Sequence, residues 1–207
     1  MLAAPARCAT LRRTVTIAGE RQMGMPTDRK IFQNAWVVPD LYEAAMKWVE
    51  FYGVGPFYIT KDLTIGNVQY RGQPGELTMS VGLAQAGPVQ IELIHQHSKG
   101  PSAYRDMYAE GQSGFHHCCV FSRDYRADME AYPKAGYPAV TYGGGEGGVP
   151  HFAYFDARKD FDIFLEIVEP NDAITASFER VRQAAETWDG KTDPIRINQP
   201  DGSYLVP

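Results

Sequence analysis

Four polar side chains stand in segments that otherwise read as buried strands: Gln33 beside Phe32, Glu92 within VQIELI, His117 within FHHCCVF and Glu166 within IFLEIV. A carboxylate among apolar strand residues is costly unless a cation or a hydrogen-bond donor meets it. The two glutamates occupy matching contexts, Ile91-Glu92-Leu93 and Leu165-Glu166-Ile167. Gln33 and His117 open two similar stretches of chain, 59 residues before Glu92 and 49 before Glu166. If those stretches pair, an amide oxygen, two carboxylates and one imidazole converge in one cleft. That donor set suits a divalent metal with positions left open for substrate. Each residue alone has a plainer reading, because a strand glutamate can face solvent from a half-buried sheet and a lone strand histidine is usually structural. The matched arrangement of all four favours the metal. Alternation groups His117 with Cys119 and Phe121, and His116 with Cys118 and Val120, without deciding which face is inward.

The elements that must position these residues come in a repeated order. Residues 31–38 read as a short apolar strand ended by Pro39. Asp40 and Glu43 form a capping box, and Leu41, Ala44, Ala45, Trp48, Val49 and Tyr52 recur at helical spacing until Gly53 and Gly55. Strand-like segments follow near 56–60, 66–71, 76–84 and 89–95. The order restarts with a strand at 115–121 and a helix opened by Asp124 and stopped by Pro133 and Gly136. A glycine-rich turn at 143–148 then leads to strands at 151–156 and 162–169. The predicted organisation is an N-terminal extension (1–30), a first βαβββ module (31–98), a linker loop (99–113), a second module (114–170), and a C-terminal helix and tail (171–207). The helix is expected over 172–188, and the polar end from Asp189 reads as a strap or loose tail.

Composition narrows the function. With 44% hydrophobic and 22% charged residues, the 207-residue chain can build a proper core, which excludes disorder, collagen and coiled coil. No run of about 18 apolar residues is present, so no membrane partner is expected. Three cysteines, two of them adjacent and none in a CxxC pair, make neither a disulfide framework nor structural zinc, and point to a reducing, cytoplasmic setting. The net charge of −5 argues against nucleic acid. Residues 1–30 hold six cations against two carboxylates but no apolar signal-peptide stretch. They read as a disordered arm or an over-long start with Met23 or Met25 as alternatives, in preference to a transit peptide.

The segments IFQNAWVVPDL, VQIELI, GFHHCCVFSRD and FLEIVEP, taken in order over roughly residues 31–170, resemble the vicinal oxygen chelate superfamily, which includes glyoxalase I and methylmalonyl-CoA epimerase. The resemblance implies an α+β fold. Paired βαβββ modules would form a cleft-bearing curved mixed sheet, with the C-terminal helix as an addition. It places metal ligands at Gln33, Glu92, His117 and Glu166, for one ion of zinc, cobalt, nickel, manganese or iron. Epimerases of the superfamily generally carry His where Gln33 stands. The Gln-Glu-His-Glu set is similar to that of some glyoxalase I enzymes, but Val37 replaces the arginine those enzymes use to hold the glutathione carboxylate. The implied activity is a metal-dependent isomerase, epimerase or lyase acting on a small carbonyl compound or acyl thioester through a metal-stabilised enolate. Glu92 and Glu166 are the proton-carrying catalytic residues. Alternatives are a glyoxalase I-like lactoylglutathione lyase and a metal-free, drug-sequestering binding protein. A ring-cleaving dioxygenase fits less well, because its iron site resembles a two-His, one-carboxylate set and a single such His is present. Aromatic residues at 52, 57, 58, 70, 104, 108, 152 and 154 are expected near the cleft, with Tyr104, Arg105 and Tyr154 as substrate-binding residues and Arg71 or Arg158 as further anion anchors. A homodimer is also expected, with the helix at 172–188 at its interface.

Overall fold

Alternating apolar residues make Gln33–Val37 the first strand, β1, with every second side chain buried. Asp40 then caps helix α1 (Leu41–Tyr52) by accepting from the Glu43 backbone N–H at 2.9 Å. Gly53, in the left-handed region at φ 63°, ends it. These elements belong to a computed structural model that describes residues 29–147 and 149–207. The expected N-terminal arm and its alternative starts lie outside the described residues, except for Arg29 and Lys30.

After α1 the chain lays down β2 (Phe57–Ile65), β3 (Gln69–Tyr70), β4 (Gln73–Pro74), β5 (Leu77–Ala86) and β6 (Val89–Gln96). The segment expected as a linker loop carries a short helix, α2 (Ala103–Met107), capped by Ser102. The chain continues through β7 (Gly114–Phe121), α3 (Tyr125–Lys134), β8 (Ala139–Gly143), β9 (Phe152–Asp156), the short α4 (Arg158–Phe161) and β10 (Phe164–Val168). It ends with α5 (Asp172–Thr187), β11 (Ile195–Asn198) and β12 (Tyr204–Leu205).

All twelve strands join one curved, unclosed mixed sheet in the order β12-β11-β2-β5-β6-β1-β7-β10-β9-β8-β3-β4. The architecture is the α+β arrangement expected from the sequence. At its centre β1 and β7 run antiparallel, each flanked on its other side by a parallel partner, β6 and β10 respectively. One apolar cluster, including Val37, Ile94, Tyr104, Tyr154 and Phe164, fills the side where Cys119 also lies. Separate clusters underlie the helices: Leu41, Ala45, Phe57 and Leu93 beneath α1, and Tyr132, Phe155 and Ile167 beneath α3. Helix α5 packs against β5.

Two local expectations are revised, and an alternative left open for the tail is decided. Pro133 does not stop α3 but sits in its last turn, and the next helical bond, Ala135 N–H to the Ala131 carbonyl, still forms at 3.0 Å. No strand is anticipated at Ala139–Gly143, a stretch squeezed between Pro138 and a glycine run. It forms by pairing antiparallel with β9 and β3, and its end at Gly143 runs close against residues 66–68. A Cβ there would lie 3.1–3.2 Å from the backbone of Gly66, Asn67 and Val68. The polar tail is a strap, since Ile195 pairs with Phe57 in parallel register and buries its side chain.

Candidate metal centre

Strand register, read across the four central strands, explains how residues remote in sequence meet. Gln90, Gln33, Cys119 and Glu166 form one row across β6, β1, β7 and β10. Glu92, Ala35, His117 and Phe164 form the next row on the same face. Small Ala35, between Glu92 and His117, leaves room for the two longer side chains to reach each other. His117 Nε2 lies 2.9 Å from Glu166 Oε2 and 3.3 Å from Glu92 Oε2. One ligand atom from each of the three residues falls within 4.8 Å of the others. Gln33 borders the same cavity as both glutamates, and its amide nitrogen donates to Gln90 Oε1 at 2.7 Å. Its carbonyl oxygen is therefore the atom a cation would take.

The fit of a cation rests on His117. Its Nε2 is fully buried and, although two carboxylates adjoin it, makes no properly directed hydrogen bond. A buried nitrogen left in that condition is costly unless something is bound to it. Imidazole nitrogen, two carboxylates and an amide oxygen are an N/O donor set of the kind that holds borderline and hard divalent metals. The residues present therefore fit such an ion.

The electrostatics agree. Burial pulls the His117 imidazole down, but the adjoining charges of Glu166 and Glu92 outweigh it and hold the group up at about 9. Burial raises the Glu92 carboxyl, with His117 acting in the opposite direction. The buried Cys119 thiol beside Glu166 is pushed well above its ordinary range, first by burial and then by the Glu166 charge, so it stays protonated.

His116 is a site residue that reasoning from alternation missed. The pairing of β1 with β7 slips between Ala35 and Trp36, so that Ala35 faces His117 and Trp36 faces Phe115. His116 is the extra residue of this bulge, which turns it to the same interior as its neighbour. The two Nδ1 atoms lie 2.9 Å apart, and both rings pack on Tyr154. Burial, aided by the nearby His117 charge, holds His116 well below the usual histidine range. It is neutral, and its Nδ1 accepts from His117 Nδ1–H, which orients the His117 ring with Nε2 toward the carboxylates. The adjacent His-His pair was the one visible signal for this contact.

The expected substrate-binding residues separate. Tyr154 lines the cavity, and its hydroxyl meets that of Tyr104 at 2.8 Å. Tyr104 sits behind it, 1% exposed, with its hydroxyl also donating to Met79 Sδ at 3.6 Å. Burial, followed by carboxylate charge, holds both phenols well above their ordinary range, so they remain neutral. Arg105 is turned away. Its guanidinium donates to the Gln96 carbonyl at 3.3 Å and does not border the cavity. Arg71 pairs with Asp106 at 2.6 Å, and Arg158 with Asp156 at 2.6 Å. Of the other aromatics expected near the cleft, Phe152 lines the cavity, whereas Phe57 packs beneath α1. Helix α5 contributes Ala173, Ile174, Ser177 and Phe178 to this chain's own cavity.

The family described as the Glyoxalase/Bleomycin resistance protein/Dioxygenase superfamily matches residues 32–155. Among solved structures, a hypothetical protein from Bacillus halodurans superposes with a TM-score of 0.49 at 14% identity, over 70% of this chain and 96% of that one. Methylmalonyl-CoA epimerase from Mycobacterium tuberculosis gives 0.46 at 14% identity, over 70% and 90%. Streptomyces coelicolor methylmalonyl-CoA epimerase gives 0.45 at 15% identity, over 69% and 95%. Among curated protein sequences nothing matches.

Proposed function

This chain belongs to the glyoxalase/bleomycin resistance protein/dioxygenase superfamily, and on that premise we propose that it is a metal-dependent enzyme of isomerase, epimerase or lyase type acting on a small carbonyl compound. Glu92, His117 and Glu166, with Gln33, would hold one divalent ion. The observation that carries the reading is the buried, unsatisfied His117 Nε2 set between two carboxylates at one end of a cavity. When bound, such an ion supplies Lewis-acid polarisation of neighbouring substrate oxygens.

The chain's own residues supply the rest. Glu92 is the more exposed carboxylate, at 14% against 7% for Glu166, and burial raises its proton affinity. It is the group we assign to removing a proton from the substrate carbon next to the carbonyl. Glu166, nearer to His117 at 2.9 Å, is the group we assign to returning a proton. His116 holds the His117 ring in place. The neutral Tyr154 hydroxyl can orient a substrate oxygen but cannot act as a base at neutral pH.

The test is elemental analysis of protein purified without chelator, beside a Glu92→Gln, Glu166→Gln double variant, followed by NMR of α-hydroxy ketones incubated with the protein in D2O. About one divalent ion per chain, lost in the variant, together with deuterium entering the carbon next to the carbonyl, is the expected result. Wild-type protein that takes up no zinc, cobalt, nickel, manganese or iron refutes the reading and leaves a binding protein of apolar ligands.

A further inference from the structure

The cavity beside the carboxylates has a volume of about 370 Å³, toward the small end of the roughly 300–1,000 Å³ typical of small-molecule pockets. Its polarity is lopsided. Gln33, Glu92, Glu166 and Tyr154 mark one end, while Leu63 of β2 and Met79 and Val81 of β5 line another wall. Phe152 of β9 and Val168 of β10 complete the apolar surround. Helix α5 adds Ile174 and Phe178, one turn apart on one face. Phe178 is braced by Phe32 and Phe121, which stack on each other at 4.1 Å.

Among the described residues no lysine or arginine lines this space. The cations the sequence offered as anion anchors are engaged elsewhere: Arg71 with Asp106, Arg158 with Asp156, Arg105 with the Gln96 carbonyl. An anionic group entering such a pocket would lose its hydration without gaining a countercharge, and two carboxylates already stand at the polar end. Apart from the Thr60 and Ser177 hydroxyls, an apolar body meets apolar walls there, and its burial is favourable.

We propose that the ligand of this cavity is a largely apolar molecule with no anionic tail, carrying adjacent oxygens at one end, and that Ile174 and Phe178 of α5 select its body. The oxygen end rests on the metal reading above. The apolar body rests on the cavity walls alone. A polyanionic carrier such as a nucleotide thioester or a glutathione conjugate is not what these walls recognise.

Alkyl hydroxamates separate the two ends, because the head group chelates through two neighbouring oxygens while the tail varies. Acetohydroxamate, octanohydroxamate and the eight-carbon hydroxamate bearing a terminal carboxylate are titrated calorimetrically into manganese-loaded and zinc-loaded full-length protein. Each buried methylene is worth about fourfold in affinity. Octanohydroxamate should therefore bind at least about 100-fold tighter than acetohydroxamate, even if only four of its six added methylenes are buried. The terminal carboxylate should remove most of that gain. Ile174→Asp, whose acid lies in the first turn of α5 where it favours the helix, should cut octanohydroxamate affinity at least about tenfold, the equivalent of two methylenes. It should leave acetohydroxamate unchanged. Phe178→Asp, checked for folding by circular dichroism, should behave alike.

Metal-loaded protein indifferent to tail length, or one that prefers the carboxylated tail, overturns the proposal and leaves the metal reading standing. Protein that takes no metal but binds 1-octanol, and loses it on Ile174→Asp, overturns the metal reading and supports the apolar-body assignment. Binding of neither overturns both.

Discussion

Stripping the metal centre should make the protein's stability fall as pH rises, and the size of the fall follows from His117. In the metal-free protein the imidazole is held between Glu166 and Glu92 and keeps its proton up to about 9, against about 6.5 in an unfolded chain. Between those values the folded state binds more protons than the unfolded state, so the slope of unfolding free energy with pH is negative. The contribution is fully present below pH 6.5 and is lost as pH passes through 9. At about 1.4 kcal/mol per unit, the interval corresponds to at most about 3–4 kcal/mol, a large fraction of a typical domain's stability. Burial raises the Glu92 carboxyl as well, which acts in the same direction. Urea unfolding of chelator-treated protein at pH 6.5 and 9.5 measures the difference, with Glu166→Gln as the comparison because it removes the nearer carboxylate. Metal-saturated protein should reverse the trend, since binding displaces the His117 proton and tightens with pH. Metal-free protein equally stable at both pH values, or a slope untouched by Glu166→Gln, would refute the placement of a protonated His117 between the two glutamates.

Other consequences of the structure are open to simpler tests. A Cβ at Gly55 would lie 2.8 Å from the Trp188 ring, so Gly55→Ala should cost about 1–3 kcal/mol in urea denaturation, with much of the loss recovered in the Gly55→Ala, Trp188→Leu double variant. Asp40→Ala removes the cap of α1 and should lower stability by about 1 kcal/mol, leaving metal content unchanged. Phe164 is fully buried and stacks on His116 at 5.0 Å. Phe164→Ala should cost about 3–5 kcal/mol and weaken metal binding in a chelator competition, because the His116–His117 pair loses its support.

Local chemistry made much of the scaffold legible. The Asp40–Glu43 box and Gly53 bound α1 at the residues where the structure begins and ends it. The apolar runs around Glu92 and Glu166 mark strands, and a charged residue in such a run must find a partner. His117 is drawn into the same group by its position in a second strand of like character. The helix expected over 172–188 is found at Asp172–Thr187, capped by Asn171. All of these are properties of a few neighbouring residues, which is why composition and periodicity suffice to find them.

Partnership and facing were decided elsewhere. Strict alternation puts His116 and His117 on opposite faces, but the one-residue slip of β7 against β1 turns both rings inward, and such a bulge exists only in relation to the opposing strand. Gln90 looked like any polar strand residue until parallel register set it beside Gln33. Arg105 had the chemistry of an anion anchor, yet α2 aims it at a backbone carbonyl. The apolar spacing of α5 identifies a helix, whereas only its packing on β5 makes Ile174 and Phe178 a wall of the cavity. Residue types and their local order specify which elements form and which side chains cannot be left unpaired. Register, curvature and helix docking depend on contacts between residues remote in the chain, such as His117 with Phe164 and Phe57 with Ile195, and no short window of the chain contains them.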